Sequence, residues 1–208
     1  MMSKLFSYVV DHDFGYAPNP FDEYCTLAQC MYGKKSKNIT DVAEPGDWIV
    51  GTGGVKKVSA GHGKIIYAMR VDEKITLAEY YSDPRFKGRK DNKRCDKSNT
   101  IRHALISQRY FYFGINAISI SKIPQSYLDH PLEKKGPRYR CDFDPRFIKN
   151  FTSWLEREYR IGIHGEPCGL KCQSGHLRKN INFRKPTSAK CRTQQSSCRD
   201  KSESLAFK

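Results

Sequence analysis

The sequence predicts an α+β fold, a curved and mainly antiparallel sheet or open barrel with helices at its ends. Three observations carry this prediction. Residues 44–73 read as two strands joined by glycine-rich corners, and the aromatic run RYFYFG at 109–114 alternates as a strand does. Residues 144–155 then set Phe147, Ile148, Phe151, Trp154 and Leu155 on one helical face. With 208 residues the chain is long enough to bury a sizeable core. The expected division is a folded domain over residues 1–167 and a basic C-terminal tail over 168–208.

In chain order, residues 4–10 (KLFSYVV) have strand composition and are expected inside the main sheet. The segment DHDFGYAPNPF follows, stiffened by Pro18 and Pro20. Asp11 and Asp13 flank His12 at the strand end, a grouping that can bind a proton, a hydroxyl or a metal, or satisfy backbone donors in a turn. Thr26 is read as capping a short helix through Cys30. A basic loop at 33–37 leads to a turn of helix near 39–43.

Pro45-Gly46-Asp47 makes a turn before the apolar Trp48-Ile49-Val50, and Gly51, Gly53 and Gly54 break that strand. Gly61-His62-Gly63 forms a second corner before an apolar strand from Lys64 to Val71. Such glycine density lets a backbone turn with positive φ or lets another molecule approach it. It does not match a phosphate-cradling P-loop. Thr76-Leu77-Ala78-Glu79 has capping-box spacing, so a short helix runs through Tyr81 and ends in Asp83-Pro84-Arg85-Phe86. Residues 87–99 (KGRKDNKRCDKSN) read as a basic, solvated loop able to touch phosphates. On the 109–113 strand Tyr110 and Tyr112 share one face, Phe111 and Phe113 the other. One pair belongs to the core, and the other is either core or a stacking surface for a base. Residues 116–123 alternate as a further strand, and 134–140 form a basic turn. Asp144-Pro145 opens the clearest helix of the chain, which Gly162 is expected to end.

Thirty-seven basic against 22 acidic residues give a net charge of +15, a field that attracts polyanions. From residue 160 onward there are 11 Lys/Arg against three acids, so over half the excess sits in the last quarter. That quarter, rich in Ser, Lys, Arg and Gln, is expected to be a disordered or partner-dependent arm from about Gly169. No apolar run approaches a membrane span, and MMSKLFSYVV lacks a long signal-type apolar core, so a cytoplasmic location is the default. The eight cysteines then read as reduced thiols. Cys168, Cys172, His176, Cys191 and Cys198 fit no common zinc-finger spacing, and neither a metal nor a cofactor is expected.

Taken together, DHDFGYAPNPFDEYCTLAQC, GDWIVGTGG, GKIIYAMRVDEKITLAEYYSDPRF, RYFYFGINAI and the amphipathic helix resemble a bacterial and phage family. It is known as the second nucleotide-modification-associated domain, and the likeness covers roughly residues 5–167. It implies nucleotide or modified-base chemistry in a DNA-modification or phage-defence setting. Gly46-Asp47, residues 68–71 and Asp83-Pro84-Arg85-Phe86 are more distantly similar to the PUA-like superfamily, with its EVE and ASCH branches. That likeness implies a bent barrel with a pocket for RNA or a modified base.

The leading expectation is therefore recognition or processing of a modified nucleobase or nucleotide. The ligand-binding candidates are Asp11, Phe14, Asn19, Gly53, Gly54, Lys64, Arg70, Arg109, Tyr110, Tyr112 and Arg140. An enzyme would use His12 or His62 as acid or base, oriented by Asp11 or Asp13, with Lys64 stabilising developing charge. No nucleophile elbow or Walker motif accompanies them. A third alternative is a nonspecific basic DNA-binding accessory protein. The expected partner is nucleic acid or a nucleotide, not a membrane.

Overall fold

The computed structural model describes residues 3–28, 38–89, 91, 102–127, 131–133 and 138–170. The expectations for residues 29–37, 134–137 and the tail from 171 lie outside them.

The chain begins with β1 (Leu5–Val10), β2 (Asn19–Phe21) and β3 (Tyr24–Leu27), then α1 (Ile39–Val42). The central hairpin follows as β4 (Trp48–Gly53) and β5 (Lys64–Arg70), then β6 (Glu73–Thr76) and α2 (Leu77–Ser82). Next come β7 (His103–Ser107), β8 (Arg109–Tyr112), β9 (Ile118–Ser119) and β10 (Tyr139–Arg140). The long helix α3 (Pro145–Glu158) and β11 (Gly162–Ile163) close the domain.

Two open sheets result. The larger has the order β10-β1-β4-β5-β8-β11, with β9 added on β5, and the smaller has the order β2-β3-β7-β6. Pairing is antiparallel except at β1–β4 and β8–β11. The fold is α+β, as predicted, and the sheets do not close into a barrel.

Side-chain alternation decides the layering. One face of the large sheet sends Trp48, Val50, Ala68, Phe111 and Phe113 against Phe147, Phe151 and Trp154 of α3. The other sends Phe6, Tyr8, Ile49, Tyr67, Met69, Tyr110 and Tyr112 against Cys25, Leu27 and Leu105 of the small sheet. On the far side of the small sheet, Ala104 and Ile106 meet Leu77, Tyr80 and Phe86. The order is helix, sheet, sheet, helix, and the aromatic strand β8 fills both interior layers.

The turn chemistry follows the sequence. Asp47 accepts the Lys4 and Glu44 N–H groups with its carboxylate, which joins the hairpin's base to β1. Thr76 and Glu79 form the capping box of α2, and Asp144 accepts the Arg146 N–H to cap α3. Asp83 caps the 3-10 turn Pro84–Phe86, whose Arg85 forks onto Glu73 at 2.7 and 2.9 Å.

Four expectations change. Thr26 does not cap a helix: it lies inside β3, where pairing with Ile106 of β7 overrides the local capping signal. Residues 116–123 are not one strand, because 3-10 turns at Gly114–Asn116 and Ile120–Lys122 leave only Ile118–Ser119 paired. Helix α3 ends at Glu158 rather than Gly162, which instead pairs beside Phe111. The 87–99 segment is not wholly a solvated excursion, since Arg89 and Asp91 are buried.

Candidate functional site

The concavity closest to residues 11–21 lies where β2, residues 88–89, β8 and the residues after β11 meet. It measures about 540 Å³ and is lined by Asn19, Phe21, Arg89, Tyr112, Ile163 and Glu166, among others. That volume falls in the usual range for small-molecule sites. The walls are mostly apolar. Phe21 and Ile163 stand about half exposed at 51% and 52%, which makes an apolar rim.

Three polar groups interrupt this lining. Asn19 donates from Nδ2 to Asp91 at 2.6 Å, so its Oδ1 has no partner among the described residues. Glu166 is exposed, and its carboxylate has none there either. Arg89 is buried, with its guanidinium carbon 4.9 Å from the Phe21 ring centre and 5.3 Å from that of Phe86. It donates to the Asn19 carbonyl at 3.4 Å and to the Phe21 carbonyl at 2.9 Å, while its buried Nε has no partner among the described residues.

Asp91 ties these parts together. Its carboxylate accepts from Asn19, from Tyr80 OH at 2.8 Å and from Thr26 Oγ1 at 2.9 Å. Burial raises its pKa, against the lowering effect of those hydrogen bonds. These bonds, with those of Arg89 to the Asn19 and Phe21 carbonyls, fix Asp91 and Arg89 onto β2 and β3.

A second buried carboxylate supports the floor. Asp13 accepts from Tyr112 OH at 2.6 Å and from the Cys168 N–H at 3.0 Å, while its carbonyl accepts the Gly169 N–H at 2.8 Å. The chain just beyond the expected domain end is thereby bound to the 11–21 segment. Burial, then Asp13, pushes the Cys168 thiol up to about 12 and raises Tyr112 as well. Burial raises the Cys25 thiol too. Thiols held this way stay protonated near neutral pH and are poor nucleophiles.

Of the candidates from the sequence, Asn19 and Tyr112 line the cavity, and Asp13 sits behind Tyr112. Phe14 packs against Gly169 and stacks with the exposed His12. Tyr110 is fully buried, donates to the Asp22 carbonyl and has its pKa pushed up to about 12 by burial. Gly53 and Gly54 face the protein's own chain: a Cβ would collide with the Gly61 carbonyl at one and with Asp11 at the other. His62 lies outside the lining and shares Glu133 Oε1 with the Gly63 N–H, at 2.8 and 2.9 Å. Lys64 is exposed beside it. Arg70 pairs with Asp72, Arg109 with Glu156 and Arg140 with Asp142, away from the cavity.

Sequence reasoning missed Arg89, Asp91, Phe21 and Glu166. The signal available for the first two was an acid among bases in the 87–99 run, read as a solvated loop able to touch phosphates, with no residue of it singled out.

Among the described residues no set of His, Cys, Asp or Glu is grouped to hold a metal ion. None of their helices is long and apolar enough to cross a membrane. Comparison with known proteins gives one finding: a family model described as nucleotide modification associated domain 2 matches residues 2–101 and 87–174. No curated protein and no solved structure matches the chain.

Proposed function

This chain belongs to the nucleotide modification associated domain 2 family, and from that premise we propose that it recognises a modified nucleobase or nucleotide in the Arg89–Phe21 cavity. The supporting observation is the lining: an apolar enclosure of about 540 Å³ with a half-exposed aromatic at its mouth and Asn19, Arg89 and Glu166 set into it. A base needs this combination of stacking surface and edge hydrogen bonds. Arg89 covers one face of Phe21, and the exposed part of the ring is free to stack. Asn19 Oδ1 and Glu166 accept from exocyclic amines.

Titration of the purified chain with modified nucleosides and nucleotides tests this reading. Phe21→Ala should weaken binding about 5- to 100-fold, the range for one base–aromatic stack. Unchanged affinity would remove the cavity from the account, and mass spectrometry of co-purifying small molecules would then redirect the search.

One arrangement favours the enzymatic reading. Glu133 holds His62 Nδ1, and Nε2 has no partner among the described residues, an orientation suited to proton transfer. His62→Gln and His12→Gln distinguish the two. An enzyme would lose about 10²–10⁴-fold in turnover while still binding, and a reader would show no turnover to lose.

A further inference from the structure

Arg89 is a cation 4% exposed, and among the described residues no carboxylate lies within ion-pair distance of it. Burying a charge is costly unless it is paired and hydrogen-bonded. What surrounds it is partial compensation: two backbone carbonyls, one of them at 3.4 Å, and the faces of Phe21, Tyr24 and Phe86. Asp91, the nearby buried acid, acts on Arg89 only through space, since it makes no ion pair with it and its oxygens accept from Asn19, Tyr80 and Thr26. Of the five N–H bonds of a guanidinium, only two are engaged among the described residues, and the buried Nε is unpartnered there.

Resting on the cavity reading above, we propose that Arg89 is an anion anchor and that the ligand enters with a phosphate directed at it. The planar fork suits two phosphate oxygens at once, in a site whose low dielectric strengthens the contact. The rings around the guanidinium fix its plane without neutralising it. The base then lies toward the Phe21 and Ile163 rim. The cavity thereby selects a nucleotide over a nucleoside, in contrast to a pocket that reads the base edge alone.

The phosphate has two sources, the terminal monophosphate of a free nucleotide and the internal diester of a strand. Calorimetry on the full chain compares a nucleoside, its 5′-monophosphate, a dinucleotide carrying only an internal diester, and inorganic phosphate. A charge-assisted contact predicts that at least one phosphorylated ligand binds about 10- to 100-fold tighter than the nucleoside. Preference for the monophosphate identifies the terminal source, and equal or tighter dinucleotide binding identifies the strand. Arg89→Gln should abolish the preference, and Arg89→Lys should keep part of it.

Because Arg89 also holds β2, the rim variant Ile163→Glu provides a test that leaves its surroundings in place. It should weaken the phosphorylated ligand severalfold more than the nucleoside. Equal affinity for nucleoside and phosphorylated ligands overturns the anchor while leaving the cavity reading intact. Binding of none of these ligands overturns both.

Discussion

Asp91 and Asp13 are buried carboxylates that join distant parts of the chain, and their environments make different demands. Asp91 accepts from Asn19, Thr26 and Tyr80, and burial lifts its pKa above the unfolded value of 3.8. The folded chain therefore holds that proton more tightly. The resulting stabilisation is fully present below the unfolded pKa and is lost as pH rises through the folded one. Asp91→Asn removes this titration and turns an amide toward the converging donors, at a cost of about 1–3 kcal/mol at neutral pH. Paired urea melts at acid and neutral pH should show the deficit of the variant growing as pH falls; a constant deficit would contradict the assignment. Tyr112→Phe deletes one of the donors to Asp13 but keeps the ring in the cavity wall. It should cost about 1–3 kcal/mol in stability with nucleotide affinity changed little, as the same melts and a binding titration would show.

Among the elements, α3 and the clamp below α2 are the most informative. Trp154 is 4% exposed and packs against Phe151 and Tyr159. Trp154→Ala should destabilise the domain by about 3–5 kcal/mol, and a urea-melt change below about 1 kcal/mol would place it outside the core. The Arg85 fork links β6 to the turn after α2. Arg85 hydrogen bonding lowers the pKa of both Glu73 and Asp83. The contribution of these two carboxylates is present above their unfolded pKa and lost as pH falls through the folded one, opposite in sign to Asp91. Since the pair is largely exposed, salt should reduce it. Strand β3 shows the limit of local signals: a residue suited to capping becomes a strand residue once partners exist on both sides.

For the whole molecule, charge and layering act separately. Residues 171–208 carry ten Lys/Arg against two acids, while the folded layers hold the cavity. The chain enters this basic segment just after Pro167, which lines the cavity, and Cys168, which is bonded to Asp13. Affinity for random duplex DNA should therefore fall steeply with salt for the full chain and less steeply for a 1–170 truncation. Each phosphate contact adds about 0.9 to the logarithmic slope. Identical slopes would mean the tail adds no electrostatic affinity. Base selectivity should be the same in both, because phosphate contacts carry no sequence information.

Sequence alone determined the α+β class, the central hairpin, the N-terminal caps of α2 and α3 and the alternation of β8. These depend on periodicity and turn chemistry within a few residues, which the chain carries locally. It also singled out Asn19 and Tyr112, one on a stiff proline-flanked segment and one in an aromatic run. The tertiary structure decided which tyrosines were core, since both faces of β8 are covered, one by α3 and one by the small sheet. It also turned the glycine corners toward their own chain and drew Arg89 and Asp91 out of a run that reads as solvent-facing. A charged residue is buried only when donors, carbonyls and ring faces from other elements converge on it. Those partners lie at Asn19, Phe21, Thr26 and Tyr80, and no local spacing relates them to residues 89 and 91.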